Sequence, residues 1–346
     1  MKIAVDAMGG DFAPAAIVRG AVDAVRQFGI EVILVGRREA IEKELSECGA
    51  SSGASSGVSS SASSGASDLN IEIVHCEEVV AMDEHPASAV RKKRDSSIVV
   101  ATKLVKEKKA DAVVSAGSTG AQMAAALFYL GRIPGVLRPA TAIPMPTIDG
   151  VSVLLDSGAN VDSEPENLVQ SATMGAIYAE AVLGIKNPKV GLLNIGEEET
   201  KGNKLVIETY PLLKNSTLNF IGNVEGKDLN YGKADVIVCD GFTGNVVLKT
   251  CEGLAAAMFT LIKKGIQSSL ISKIGGLLVL PSLRGLKKRL DYSEYGGVPL
   301  LGVDGISMIC HGRSDARAIC NAIRAGERAA KQGIVEAIGK ELGKQP

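Results

Sequence analysis

The chain has 346 residues, 46% of them apolar, and its 38 Lys and Arg nearly cancel its 39 Asp and Glu to leave a net charge of −1. That length and apolar content suffice for a sizeable core in one large domain or two of ordinary size. The charge balance argues against a nucleic-acid protein, and 3% aromatics without any Trp argues against base-stacking platforms.

The chain opens on "MKIAVDAMGGD", which enters a strand at once and shows no charged segment followed by a long apolar one. Six cysteines (Cys48, Cys76, Cys239, Cys251, Cys310, Cys320) form no CxxC pair and no zinc-ligand spacing, so reduced thiols in a cytoplasm are expected and no metal site is. No run approaches the roughly 18 apolar residues that suggest a membrane span. Apolar runs at 2–5, 31–36, 71–74, 111–116, 151–156, 189–195 and 235–240 do not alternate with polar residues, the pattern of parallel strands covered on both faces. Helical stretches fill the gaps. Residues 12–28 place Ile17, Val18, Ala21, Val22, Val25 and Phe28 on one face, with Asp11 as the expected N-cap and Pro14 in the first turn. "SEPE" at 163–166 predicts a capping box with Ser163 as cap and Glu166 reaching back, opening a helix to about Leu183. The fold class is α/β, with a doubly wound, mainly parallel sheet carrying helices on both faces. One large domain over 1–346 is expected, with a flexible Ser/Gly loop at 50–67 and a helical amphipathic protrusion over 253–295.

In such a sheet the loops after the strands' carboxyl ends gather on one edge, where ligands bind. Loops at 6–11, 115–121, 156–160, 194–203, 240–245 and 302–307 carry small or polar groups and are assigned to that edge. Two of them are near copies, Gly117-Ser118-Thr119-Gly120 and Gly241-Phe242-Thr243-Gly244, and Gly9 and Gly10 add a third side-chain-poor turn. Glycine admits close backbone approach, and a following helix offers free N–H groups and a positive dipole end, so these turns are expected to face one cleft and hold a phosphate-like anion. Ordinary strand-to-helix turn chemistry is the competing explanation for each. No nucleotide fingerprint follows a strand, and "GNVEGKD" at 222–228 falls short of a P-loop. Asp6, Asp156 and Asp240 sit at strand ends, as loop caps or as bases or metal ligands. The acidic run Glu197–Glu199 is expected in a solvated loop, and Cys239 belongs to a buried-strand pattern.

"MDEHPASAVRKKRDSS" at 82–97 places His85 in extended backbone before Pro86 and gathers Arg91, Lys92, Lys93 and Arg94 into a basic block. On a helix Arg91 and Arg94 share a face, and the block is either a solvated face or a contact for an anion or acidic partner. Farther on, Leu277, Leu278, Val279 and Leu280 precede Pro281, and Leu283, Leu286 and Leu290 fall on one helical face among Arg284, Lys287, Lys288 and Arg289. A basic amphipathic helix beside an apolar tip suits a membrane surface, an acidic protein, a long acyl chain, or a dimer or core contact.

"VDAMGGD", "MDEHPASAVRKKRDSS", "SAGSTGA", "NIGEEETKGN", "CDGFTGNVVLK" and "GVDGISMICHG" occur in this order and spacing along nearly the whole chain outside 50–67. Taken together they closely resemble the bacterial phosphate acyltransferases of fatty acid and phospholipid synthesis, the PlsX family. The resemblance implies transfer of an acyl group from acyl carrier protein to inorganic phosphate, giving an acyl phosphate that feeds a membrane glycerol-phosphate acyltransferase. It also implies a homodimer and a fold similar to phosphotransacetylases and isocitrate/isopropylmalate dehydrogenases. Phosphate is then the nucleophile, so no Ser or Cys nucleophile and no cofactor is required. On chemical grounds Ser118, Thr119 and Thr243 are candidate donors, Asn245 assists, and Asp240 or His85 accepts a proton. A lipophilic product favours peripheral membrane contact through Leu277, Leu278, Leu280, Lys287 and Lys288. Two other functions compete: a metal-dependent dehydrogenase of similar fold, against which the missing nucleotide fingerprint counts, and a non-catalytic scaffold between carrier protein and membrane, for which anion turns are superfluous.

Overall fold

The computed structural model describes residues 1–52, 67–290 and 296–343, with side chains placed for 1–51, 69–286 and 296–343. Strands β1 (Lys2–Asp6), β2 (Glu31–Gly36), β5 (Ile71–His75), β6 (Ala112–Ser115), β13 (Val298–Leu301), β14 (Ile306–Ile309) and β7 (Ala140–Thr141) form a seven-stranded sheet in the order β5-β2-β1-β6-β14-β13-β7. Its first five strands are parallel, and β13 turns back antiparallel to β14 and to β7. A five-stranded sheet follows the order β11 (Phe220–Glu225), β10 (Val190–Asn194), β12 (Val236–Val238), β9 (Val151–Leu155), β8 (Ile143–Pro146), parallel except at β8. The parallel strands foreseen in sequence are thus divided between two sheets.

The helices are α1 (Ala15–Phe28), α2 (Arg38–Glu47), α3 (Pro86–Lys92), α4 (Ser97–Lys106), α5 (Thr119–Ala125), α6 (Pro165–Ala181), α7 (Lys204–Lys214), α8 (Gly241–Gln267), α9 (Leu270–Leu290), α10 (Ala316–Lys331) and α11 (Ile334–Leu342). Central strands are apolar without alternation because both faces are covered: Val32, Ile33, Leu34 and Val35 of β2 are all essentially buried. Each such side chain contributes about 1.5–3 kcal/mol relative to an exposed one.

Two helix starts differ from the sequence reading. Asp11 does not cap α1, which begins at Ala15 after Pro14 with no side-chain cap; the Asp11 carboxylate lies 3.9 Å from Arg313 instead. The box before α6 is shifted by one residue, with Glu164 as cap and Asn167 reaching back, because Pro165 occupies the first helical position that its fixed φ favours. Phe28 ends α1 partly exposed, under the Arg324 guanidinium. The ends of the Ser/Gly tract pair as short parallel strands, β3 (Ala50–Ser52) and β4 (Ser67–Leu69), whereas residues 53–66 of the expected flexible loop lie outside the described residues.

The protrusion is a helical hairpin, and it starts earlier than foreseen. Helix α8 runs unbroken from the 240–245 turn, and by length and composition alone it is apolar enough to cross a membrane. Pro281 lies inside α9, so Leu277, Leu278 and Leu280 are mid-helix; the tip of the hairpin is at Ser268–Ser269, beside Leu270 and Ile271, which are 77% and 84% exposed. Leu277 and Leu278 are exposed and Leu280 partly so. The side chains of Lys287, Lys288 and Leu290, and residues 291–295, lie outside the described set.

Candidate active site

Four parallel strands deliver their carboxyl ends to one cavity of about 320 Å³ between the two sheets. After β6 comes Thr119. After β14 come Cys310, His311 and Ser314. After β9 come Ser157 and Gly158, and after β12 comes Asn245, with Leu248, Lys249 and Glu252 farther along α8. Thr141 and Ile143 close the wall. Of the two near-identical turns only Thr119 of the first lines this cavity; none of Gly241, Phe242, Thr243 or Gly244 does, and the second turn comes to the wall only through the residue after it, Asn245.

Most of the turn glycines serve to let backbones touch. A Cβ on Gly9 would lie 2.4 Å from Asp6 Oδ2 and 2.8 Å from the Gly117 nitrogen, so the 6–11 turn buttresses the 115–121 turn. Gly10 adopts φ +111°, against Ala116 and the Gly312 carbonyl. Gly120 abuts Pro86, Gly241 abuts the Asn160 carbonyl, and Gly244 abuts the Asp156 carbonyl.

The three strand-end aspartates are staples of these turns. Asp156 is buried and accepts from the amides of Thr141, Gly158, Ala159 and Asn160, from Thr141 Oγ1 at 2.6 Å and from Asn160 Nδ2 at 2.9 Å. Asp6 accepts from Ser115 Oγ at 2.7 Å and from the Met8 amide. Burial pushes its carboxyl above the usual range, against hydrogen bonds from Ser97, Ser115, Met8 and Gly9 that pull it down. Asp240 caps α8, taking the Thr243 amide at 2.8 Å and Thr243 Oγ1 at 2.7 Å. Both donors of Thr243 are therefore spent on Asp240, and the Gly241 amide is spent on the Asn160 carbonyl, so the second turn is a closed cap where the sequence suggested an open cradle. Ser118 caps α5, accepting from the Ala121 amide at 3.4 Å.

His85 is exposed in extended backbone before Pro86, as its sequence context predicts, and lies outside the cavity wall. The basic block divides by role. Helix α3 ends at Lys92, and Lys93 turns inward to bond the Val79 carbonyl at 2.8 Å and Glu84 at 2.5 Å, a contact that holds the Glu84 carboxyl below its usual range. Arg91 lies over the Phe128 ring at 4.6 Å, Arg94 bonds the Arg91 carbonyl, and Lys92 is exposed. Glu197, Glu198 and Glu199 are exposed and pair with Lys233, Lys201 and Lys214. Buried Cys239 has its thiol pushed well above the ordinary value.

His311 was not among the candidates read from the sequence, and neither were Ser157, Lys249, Glu252 and Ser314 of the same wall. The 302–307 segment was assigned to the ligand edge, but it is the turn before β14 and lies on the opposite end of that strand; the carboxyl-end loop is 310–314. The run "ISMI" is too short for periodicity to identify as a strand, so the loop after it carried no signal. The Arg313 amide donates to His311 Nδ1 at 3.1 Å, so a neutral ring carries its proton on Nε2 and is a donor there. At the rim Lys249 pairs with Glu252 at 3.0 Å. Among the described residues no group of His, Cys, Asp and Glu could hold a metal.

A profile of the family described as "Fatty acid synthesis protein" matches residues 1–337. The chain belongs to that family. A phosphate acyltransferase from Desulfitobacterium hafniense (strain Y51) is 58% identical over 343 residues, covering 99% of this chain and 97% of that protein. In fold, this family member is similar to a phosphotransacetylase from Streptococcus pyogenes, with TM-score 0.62 at 18% identity, covering 95% of this chain and 94% of the other. It is also similar to a 4-hydroxythreonine-4-phosphate dehydrogenase from Klebsiella pneumoniae, with TM-score 0.53 at 12% identity over 95% and 99% of the two chains. At those identities the likeness concerns the doubly wound α/β fold alone.

Proposed function

We propose that this chain transfers a fatty acyl group from the thioester of acyl carrier protein to inorganic phosphate, releasing an acyl phosphate and the free carrier thiol. The observation that carries this is the convergence of four strand ends on one small cavity that offers hydroxyls, an amide and an imidazole on a largely apolar wall, and whose one thiol is disarmed. The cavity lies where Thr119, Ser157, Asn245 and His311 can surround an anion, with Lys249 at its rim. Its cysteine, Cys310, is buried and its thiol is pushed up to about 12, so it is un-ionised at neutral pH and is not itself a nucleophile there. Phosphate supplies the nucleophilic oxygen. It attacks the thioester carbon, the carbonyl oxygen becomes an oxyanion, and the C–S bond then breaks. The proton lost by the phosphate hydroxyl goes to the departing sulfur, and His311, which lines the cavity, is the donor assigned to the oxyanion or the sulfur. Holding both reactants in one cavity supplies most of the acceleration.

Thr119 and Asn245 fit the phosphate contacts expected from the sequence. Asp240 and His85 remain proposed proton acceptors only at one remove, the first because Thr243 occupies its carboxylate, the second because it lies outside the wall. The exposed basic residues Arg91, Lys92 and Arg94 suit the acidic carrier protein, and the exposed apolar hairpin suits a second subunit or a membrane surface where the product is consumed. The test is palmitoyl-carrier protein incubated with the protein, with and without phosphate, followed by mass spectrometry. Acyl phosphate formed only with phosphate supports the reading; free carrier without acyl phosphate sinks it. Asn245→Ala is expected to raise the phosphate KM at least tenfold.

A further inference from the structure

The reactant cavity continues into a second one. Leu248, Glu252 and His311 line both it and a cavity of about 610 Å³ that follows α8 away from the turns. The wall of the second cavity is mainly apolar, built by Cys251, Ala255, Phe259 and Ile262 of α8 with Met145 of β8 and Leu286 of α9. Leu248, Ala255, Phe259 and Ile262 recur at helical spacing on one face of α8. From Leu248 to Ile262 that face is about 21 Å long at the rise of an α-helix, enough for an extended long-chain acyl group. Polar groups of the wall are Asn230, Glu252, His311 and Arg313, and two of these, Glu252 and His311, stand at the junction itself.

We propose that this channel is the acyl-chain subsite. The thioester carbon sits at the Leu248–Glu252–His311 neck, and the hydrocarbon tail lies along α8 toward Ile262. The inference rests on the acyl-transfer reading of the first cavity. Three features select this occupant. The channel is continuous with the first cavity and joins it at His311. Its wall leaves behind the hydroxyls and amide of the first cavity and becomes more uniformly apolar along α8, in the order in which a fatty acyl thioester does. One helix, α8, both places Asn245 at the reactant cavity and forms the channel wall, so the tail is fixed relative to the reacting carbon. Each methylene moved from water into such a wall is worth about a fourfold gain in affinity. The channel therefore sets the preference for chain length, and its depth sets the optimum.

Ala255 lies about 10 Å along α8 from Leu248, so a butyryl chain stops short of it and a palmitoyl chain passes it. Ala255→Trp places an indole across the channel. Measured as kcat/KM over acyl-carrier proteins from four to sixteen carbons, this variant is expected to keep the butyryl rate within about twofold. The palmitoyl rate is expected to fall about 250-fold, the worth of about four buried methylenes. Phe259→Ala deepens the far end and is expected to move the optimum to longer chains. An unchanged length profile in Ala255→Trp, or equal losses for butyryl and palmitoyl substrates, overturns the assignment, as does an unchanged profile in Phe259→Ala. Wild-type protein that releases no carrier thiol with phosphate at any chain length overturns the underlying acyl-transfer reading instead, and is told apart by that result.

Discussion

Replacing Gly244 by alanine tests whether close packing of the turns sets the geometry of the cavity. A Cβ at this position would lie 1.9 Å from the Asp156 carbonyl oxygen and 3.1 Å from Cys239 Sγ, whereas real Cβ atoms essentially never come within 3.0 Å of such an atom. Both obstacles belong to buried, hydrogen-bonded segments, so the start of α8 must retreat from the 156–160 turn by about 1 Å. Overpacking of this kind costs about 3 kcal/mol. At roughly 2 °C per kcal/mol for a chain this long, the midpoint of thermal unfolding should fall by about 6 °C. The retreat carries Asn245 with it, and a 1 Å misplacement of a positioning group costs about 100-fold in rate. Gly253→Ala is the control on the same helix, because a Cβ there meets nothing within 4 Å; it should stabilise by about 0.5–1 kcal/mol through helix propensity. The assay is phosphate-dependent release of carrier thiol alongside a thermal melt of both variants. Gly244→Ala with wild-type melting and wild-type kcat/KM would refute the reasoning.

The Cys310 thiol, pushed up to about 12 by burial, should stay un-ionised across the working range. Its folded value is raised above the ordinary 9.0, so its contribution to stability is complete below pH 9 and is lost only as pH rises toward 12. Native protein should therefore resist iodoacetamide at Cys310 at pH 8, and Cys310→Ala should keep kcat within about threefold; rapid alkylation with loss of activity contradicts this. Replacing Ile271 and Leu278 together by Glu should abolish co-sedimentation with anionic vesicles while leaving turnover of soluble carrier substrate intact. Sedimentation that persists removes the hairpin from the proposed membrane contact.

The doubly wound class, the seven principal parallel strands and the two glycine-rich turns that follow β6 and β12 were legible in the sequence. They depend on local chemistry, since strands covered on both faces must be apolar throughout and tight strand-to-helix turns must be rich in glycine. Membership of the family was legible for the same reason, in motifs whose order and spacing survive without any structure. Three-dimensional packing decided the rest. Short strands such as β8 and β14 carry two prolines or only four residues, so the second sheet boundary and the loop bearing His311 gave no periodic signal. Whether Thr243 points at a ligand or at its own cap is a choice between two hydrogen-bond partners that sequence leaves equal; the folded turn, which brings Thr243 Oγ1 within 2.7 Å of the Asp240 carboxylate, settles it in favour of the cap. The channel along α8 is farther still from sequence, because a void is defined by walls from β8, α8 and α9 that are distant in the chain and meet only when the molecule is folded.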